Sequence, residues 1–387
     1  GEFFTAEDRT QLIQVFEQVM NKLIERYRQL ADKDQVELAM TPYAHPIMPL
    51  LIDFKSMHDA LPEAVAPMSH NYPGGYDRAV WHMEYGIEVF ERFFKRRPQG
   101  IWLSEGAVSE QAVKLLDRFD IKWTASGEGV WHNSSYLSDL DVNDPETRQN
   151  LFSCNRLEKA NACLFFRDDG LSDLIGFEYQ SWNPDDAVAD FVNHVHNIAK
   201  FLQHSDDEHV VSVILDGENA WEYYPDNGFH FLNKLFKALS ESKEVETCTF
   251  AHASDSCCSV SLPKLCAGSW VYGSFSTWIG EQDKNHGWDL LVAAKQAYDK
   301  NIGHLTPDEK QHAQLQLAVC EGSDWFWWFG DYNPSDSVRD FDSLYRLQLQ
   351  HLYQLLKLEI PDTLFKAISE GGGDAENAGT MRRGHDG

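Results

Sequence analysis

Two short apolar runs that stop at acidic residues constrain the fold of this chain most strongly. Residues 100–103 precede Glu105, and a helical pattern opens at Ser109 directly afterwards. Residues 210–215 precede Asp216 and Glu218 in the same way. Barrels built from parallel strands carry their chemistry at the carboxyl ends of those strands. The repeat therefore predicts that Glu105 and Asp216 face one pocket at the same end of a sheet.

The two runs belong to a longer alternation of strand and helix patterns. Six segments read as strands: 35–40, 100–103, 121–126, 162–166, 210–215 and 244–250. Helical spacing of apolar residues separates most of them, which is typical of a parallel α/β sheet. The alternation ends near residue 250, and helical patterns then occupy 283–301, 307–319 and 337–358. We predict a barrel domain over residues 1–260, a helical subdomain over 261–365 that covers the barrel mouth, and a flexible tail over 366–387.

Charge and cysteine content exclude several kinds of partner and site. The formal net charge of −28 argues against binding to nucleic acid or to an anionic membrane. No apolar run reaches the roughly 20 residues that span a bilayer. The seven cysteines form no CxxC pair, so thiols in a reducing, cytoplasmic compartment are the expectation. No feature of the sequence sets the oligomeric state.

Cleavage of a glycosidic bond requires two carboxyl groups with opposed tasks, one at the sugar carbon and one at the leaving oxygen. Glu105 and Asp216 are the candidates for these two catalytic roles, because both follow strands of one predicted sheet. Glu218, two residues on, would raise the pKa of Asp216 and suit it to proton donation. Helix capping or pairing with arginine is the alternative role for each of these acids.

Aromatic and polar residues near the strand ends provide candidates for sugar binding, since an indole stacks on the apolar face of a pyranose. Core packing is the alternative for the aromatic residues. No HExxH motif or phosphate-binding loop is present, so no metal or other cofactor is expected. The predicted substrate-binding set is His45, Trp102, Arg167, Asp168, Glu218, Trp221, Trp270, Trp278, Asp324 and Trp325.

Several of these segments resemble conserved regions of glycoside hydrolase family 57, and the resemblance extends over most of the chain. The segment 35–46 resembles the second region of that family, 102–105 the third, 216–218 the fourth and 270–278 the fifth. Residues 323–325 resemble the helical region of its amylase and amylopullulanase branch. The resemblance implies an incomplete (β/α)7 barrel with a helical subdomain. It also implies that Glu105 is the nucleophile, that Asp216 is the acid/base, and that no metal takes part.

One element of the family pattern has no counterpart here. The first region, a His-Gln-Pro on the first strand, is not found in the chain, and six strands are predicted where the family has seven. We therefore expect this chain to begin after the first strand.

Three functions follow from these patterns. The leading hypothesis is a retaining hydrolase or transglycosylase that acts on α-1,4 or α-1,6 linkages of α-glucans. A catalytically impaired or non-catalytic glucan-binding protein is the second. A metal-dependent sugar deacetylase or mannosidase-like barrel is the third, because such barrels also place acids and histidines at strand ends.

Overall fold

The computed structural model describes residues 3–217, 220–373 and 380–381. Within these ranges the chain forms one mixed sheet surrounded by helices. The strands are β1 (Gly100–Ile101), β2 (Trp123–Ser126), β3 (Cys154–Leu157), β4 (Cys163–Phe166) and β5 (Ser259–Leu262). The α-helices are α1 (Ala6–Asp32), α2 (Met48–Ile52), α3 (Met57–Ala60), α4 (Gly75–Phe94), α5 (Glu110–Leu115), α6 (Glu128–Leu137), α7 (Pro145–Arg148), α8 (Asp169–Asp173), α9 (Pro184–Leu202), α10 (Phe229–Glu241), α11 (Phe250–Ser256), α12 (Gln282–Asn301), α13 (Pro307–Cys320), α14 (Asp324–Trp328) and α15 (Ser335–Leu355).

The sheet runs in the order β1-β2-β4-β3-β5, and β1, β2 and β4 are parallel neighbours. Single parallel bridges extend this parallel part at both edges: Met40 pairs with Ile101, and Ser212 pairs with Arg167. The segments around residues 40 and 212 therefore flank the three strands, in the order in which they occur along the chain. This arrangement brings the residues that follow β1, β4 and residue 212 to one end of the parallel part.

The predicted strands 35–40 and 210–215 form only these single bridges, and the predicted strand 244–250 does not form. Residues 244–250 contain no strand, because Thr249 instead caps α11 by accepting a hydrogen bond from the backbone N–H of His252 at 3.2 Å. The Glu37 carboxylate ties this region to the sheet, since it accepts hydrogen bonds from the Trp123 indole and from the backbone N–H of Ala251.

Sequence periodicity did not identify two of the observed strands. Strand β3 lies in the polar stretch before residue 157, and β5 follows α11. The two strands pair in parallel with each other, and β3 also contacts β4 in the antiparallel sense. Each has two polar residues among its four positions, Asn155 and Arg156 in β3 and Ser259 and Ser261 in β5, so neither forms the apolar run that identified β4.

The cysteines differ from the expectation of seven thiols. Cys154 and Cys163, on neighbouring strands β3 and β4, are disulfide-bonded with their Cα atoms 5.4 Å apart. The other five cysteines are free thiols. The predicted cytoplasmic location stays a prediction. Among the described helices, none is both long enough and apolar enough to cross a membrane.

The described part of the predicted tail is partly ordered. Ile368 and Ser369 are buried, and the Asp342 carboxylate accepts a hydrogen bond from the backbone N–H of Ile368 at 2.7 Å. Ile368 and Ser369 therefore pack against α15 inside the predicted tail, and the flexibility of the tail stays a prediction. Residues 374–379 and 382–387 lie outside the described residues, and the domain division at residue 260 stays a prediction.

Candidate active site

Glu105 lies in a tight turn immediately after β1. Its backbone is left-handed, with φ of 58°, and that of Gly106 is also left-handed, with φ of 54°. A Cβ atom at Gly106 would approach the Trp102 ring to 2.7 Å, so the turn requires glycine at that position. A glutamate held in this region costs conformational energy, and such strain is concentrated at functional sites. The turn leaves the Glu105 side chain 15% exposed at the end of the strand.

The loop that carries Trp270 fixes one oxygen of the Glu105 carboxylate. Val108 and Gly268 form an antiparallel bridge that brings this loop beside the turn. The Trp270 indole Nε1 then donates a hydrogen bond to Glu105 Oε2 at 3.0 Å, and the Trp270 backbone N–H donates to the Glu105 carbonyl at 3.2 Å. Trp102 packs edge-on against the Trp270 ring, with centroids 5.3 Å apart. The orientation of the carboxylate is therefore set before any substrate binds.

The other carboxylate oxygen faces His45. His45 Nδ1 lies 3.9 Å from Glu105 Oε1 and 2.8 Å from Ser323 Oγ. The backbone N–H of Ser323 also donates to the His45 carbonyl at 2.9 Å. Burial lowers the pKa of His45, although the charge of Asp324 acts in the opposite direction. The lowered pKa favours the neutral form of the His45 imidazole at pH 7.

His45, Glu105 and Asp324 could together hold a metal ion. Each offers one donor atom, and the three atoms lie within 4.8 Å of one another. One imidazole nitrogen and two carboxylate oxygens form a donor set that suits a divalent cation such as Zn²⁺. The expectation of a metal-free site stays a prediction.

Arg167 connects the Glu105 side of the site with the segment that carries Asp216. Its guanidinium lies over the Trp270 ring at 5.4 Å, and its Nε donates to the carbonyl of Ile214 at 2.8 Å. Asp216 follows Ile214 by two residues and is half-buried. The structure therefore links Glu105, Trp270, Arg167 and the Asp216 segment through consecutive contacts.

Comparison with known proteins identifies the family of the chain. A sequence model of glycosyl hydrolase family 57 matches residues 8–260, about two thirds of the chain. The chain belongs to glycosyl hydrolase family 57. No curated protein matches the sequence.

Solved structures show that the fold is that of family 57 enzymes. A GH57 branching enzyme from Thermococcus kodakaraensis superposes with a TM-score of 0.66 at 15% identity, covering 92% of this chain and 74% of that one. An α-amylase from Thermotoga maritima gives 0.63 at 14% identity, with coverages of 91% and 73%. A 4-α-glucanotransferase from Thermococcus litoralis gives 0.58 at 14% identity, with coverages of 89% and 52%. The fold class predicted from the sequence, the incomplete (β/α)7 barrel of this family, is confirmed.

Three tryptophans of the predicted substrate-binding set make contacts within the scaffold of this family 57 chain. Trp278 is 0% exposed and packs in the largest apolar cluster, so the structure assigns it to the core instead of the sugar site. Trp325 is half-buried and donates its indole N–H to the carbonyl of Val319 at 2.8 Å. Trp221 packs against Tyr224. Glu218 lies outside the described residues.

The two charged residues that follow β4 are engaged within the protein. Arg167 donates to Asp169 at 2.7 Å and to Asp173 at 2.6 Å, in addition to its bond with Ile214. Asp168 caps α8 by accepting from the backbone N–H of Leu171 at 2.8 Å. Both therefore shape the site, whether or not they contact substrate.

Sequence reasoning missed a buried network that supports the His45 loop. Glu321 is fully buried and accepts hydrogen bonds from the Arg78 guanidinium, at 2.7 and 2.9 Å, and from the Tyr72 hydroxyl. His82 Nε2 lies 2.7 Å from the same carboxylate, and its Nδ1 lies 2.5 Å from the carbonyl of Tyr43. Glu321 precedes Ser323 by two residues, and Tyr43 precedes His45 by two. The network therefore anchors both segments that meet at Glu105.

Proposed function

We propose that this chain is a retaining α-glucan-active hydrolase or transglycosylase in which Glu105 is the nucleophile and Asp216 the general acid/base. The observation that carries the proposal is the environment of Glu105: a strained strand-end turn, one oxygen held by Trp270 at 3.0 Å, and a neutral histidine beside the other oxygen. Family membership supports the reaction type. The branching enzyme, amylase and glucanotransferase among the structural relatives support α-glucan as the substrate class.

The proposed reaction proceeds by double displacement. Because Trp270 holds Oε2, Glu105 attacks the anomeric carbon through Oε1, while Asp216 protonates the leaving glycosidic oxygen. A covalent glycosyl-enzyme forms on Glu105. Asp216 then removes a proton from the incoming water or sugar hydroxyl, which displaces Glu105 and restores the configuration at the anomeric carbon.

We propose that substrate contacts come from the residues around Glu105 that remain partly exposed. His45 and Asp324 offer hydrogen-bonding groups on one side of the carboxylate. Trp102 and Trp270 offer ring surface on the other side. Such a combination of polar groups and aromatic faces suits the hydroxyls and the apolar face of a glucose unit.

Product sizing after incubation with maltoheptaose tests the proposal. Hydrolysis gives shorter products, and transglycosylation gives longer ones as well. We expect Glu105→Gln and Asp216→Asn each to lower kcat by about 10³-fold or more with the thermal midpoint unchanged. Glu110→Gln is the matched control, because Glu110 follows Glu105 by five residues and pairs only with exposed Lys114 on α5. Near-normal turnover in either catalytic variant would refute the assignment.

Two alternatives make different predictions in the same assay. The donor cluster of His45, Glu105 and Asp324 favours a metal-dependent sugar hydrolase or deacetylase, which EDTA would inactivate and Zn²⁺ would restore. The chain lacks a match to the first conserved region of the family, which favours a glucan-binding protein without turnover. Such a protein would bind maltooligosaccharides and leave their length unchanged.

A further inference from the structure

We propose that the chain has a second oligosaccharide-binding site in the cavity between α8, α9 and the segment 148–152, separate from the carboxylate of Glu105. This inference depends on the proposed function for its ligand class, an α-glucan oligosaccharide. The cavity has a volume of about 760 Å³. That volume lies within the range of roughly 300–1,000 Å³ typical of small-ligand sites.

One face of α9 gives the cavity a wall suited to a sugar ring. His194, Asn197 and Phe201 all line the cavity and are exposed. Their spacing of three and four residues places them along the same side of the helix. Phe201 is 41% exposed, so its ring is available to the apolar face of a pyranose. The neighbouring amide and imidazole can bond the hydroxyls at the ring edge.

Asp168 and Arg148, which also line the cavity, provide further hydrogen-bonding groups. Asp168 is 91% buried, and only its Oδ1 accepts a recorded hydrogen bond, from Leu171 at 2.8 Å. No lysine or arginine nitrogen of the described residues lies within salt-bridge distance of it, and burial raises the pKa of its carboxyl group. Arg148 pairs with Glu128 at 3.0 Å and also lines the cavity, and its guanidinium carries more N–H donors than this pair uses. Ligand hydroxyls can donate to Asp168 and accept from Arg148.

The charges around the cavity select for a neutral ligand. Asp168, Asp173 and Glu178 line it together with a single arginine, Arg148. Carboxylates outnumber basic residues in this lining, which disfavours a phosphate or carboxylate ligand, and the net charge of −28 adds to that effect. A neutral polyhydroxylated molecule meets both the acceptors and the donors without a charge penalty. Among such molecules, an oligosaccharide also matches the exposed Phe201 ring.

Arg167 contacts both the surroundings of Glu105 and a residue that lines this cavity. Its guanidinium lies over the Trp270 ring at 5.4 Å on one side. It also donates to Asp173, a cavity residue, at 2.6 Å. Trp270 in turn holds Glu105. A chain of contacts through Arg167 and Trp270 therefore connects the second site with Glu105.

Calorimetric titration with maltoheptaose tests the second site, in the Glu105→Gln background so that no ligand is consumed. We expect two classes of binding site in this background. Phe201→Ala and Asn197→Ala should each weaken one class by about tenfold and leave the other unchanged. Phe236→Ala on α10, which removes a ring that is 63% exposed, is the matched control and should leave both classes unchanged.

The outcomes separate this inference from the proposed function. A single class of sites that is insensitive to both cavity variants would overturn the second site, even if the wild-type protein degrades maltoheptaose normally. An equal effect of Phe236→Ala would overturn it as well. Loss of one class in both cavity variants would support it, even if the wild-type protein proves to have no turnover.

Discussion

At the scale of single residues, Trp270 contacts three residues of the proposed active site. It donates its indole N–H to Glu105, packs against Trp102, and lies beneath the Arg167 guanidinium. Its hydrogen bond fixes Oε2 of Glu105, which in the proposed mechanism directs the attack to Oε1. Trp270 therefore controls the orientation of the proposed nucleophile.

Trp270→Phe should lower kcat by about 10- to 100-fold. The variant keeps an aromatic ring and removes a hydrogen bond to a charged group, which contributes about 1.5–3 kcal/mol. The check is kcat on maltoheptaose. Trp182→Phe, a change at an exposed tryptophan preceding α9, is the control and should leave kcat unchanged. Equal effects of the two substitutions would contradict the role assigned to the Trp270 indole.

Glu321 predicts a pH dependence of stability. Burial alone would raise its pKa, but the charge of Arg78 and the hydrogen bond with His82 outweigh burial and lower it to about 2. A lowered pKa in the folded state stabilises the protein above the unfolded pKa of 4.5, and this contribution is lost as the pH falls towards 2. The shift corresponds to about 3 kcal/mol. We expect urea unfolding to show a steep loss of stability across this pH window.

In Glu321→Gln the free energy of unfolding should depend less on pH between 4.5 and 2, because glutamine does not titrate. Leaving Arg78 buried without a carboxylate should also destabilise the variant at pH 7. Glu309→Gln is the control: the pKa of Glu309 is also about 2, but its partner Lys357 lies on the surface, where solvent screens the pair. If the stability of Glu321→Gln falls as steeply with pH as that of the wild type, Glu321 is not the cause of the loss.

The sequence was sufficient to predict the position of Glu105 but not its surroundings. An acid after a buried strand is a local signal, so the turn could be located from residues 100–109 alone. Glu321 gives no comparable signal, because its partners Arg78 and His82 lie about 240 positions away along the chain. The loop that contains Trp270 and Trp278 could not be interpreted from the sequence either. Trp270 contacts Glu105, whereas Trp278 is completely buried. Their positions in the sequence do not distinguish these two roles.

At the scale of elements, the parallel part of the sheet depends on very short pairings. Strand β1 has two residues, and the segments near residues 40 and 212 contribute one bridge each. The alternation of apolar runs and helices was enough to predict that these segments run parallel. Their length could not be predicted, because it depends on backbone partners that approach from distant parts of the chain. Thr249 illustrates this point, since the capping of α11 prevented the strand that its neighbours predicted.

Substitutions at two positions of helix α1 should affect stability very differently, because the two side chains differ in burial. Among its 27 residues only Ala31 is buried, while Leu12 is 53% exposed. Leu12→Asp should leave the free energy of unfolding within about 0.5 kcal/mol of the wild type. Ala31→Asp should lower it by about 2 kcal/mol or more, because it places an unpaired charge in the contact of α1 with the barrel. Denaturant unfolding of the two variants checks this, and equal stabilities would show that α1 packs differently.

At the scale of the whole molecule, the site is assembled from regions far apart along the chain. His45 precedes α2, Glu105 follows β1, Trp270 lies beyond β5, and Ser323 and Asp324 lie at the start of α14. The buried Glu321 network connects the first and last of these regions. The helical region after β5 is therefore part of the proposed catalytic centre as well as a neighbour of the barrel.

The most direct test of the account is to locate the covalent intermediate by mass spectrometry of peptides. A fluorinated maltosyl donor, which slows the second displacement, should leave one glycosyl group on the peptide that contains Glu105, at the Glu105 carboxylate itself. The Glu105→Gln variant should acquire none. A glycosyl group on any other residue, or an equal adduct in the Glu105→Gln variant, would contradict the central claim that Glu105 is the nucleophile.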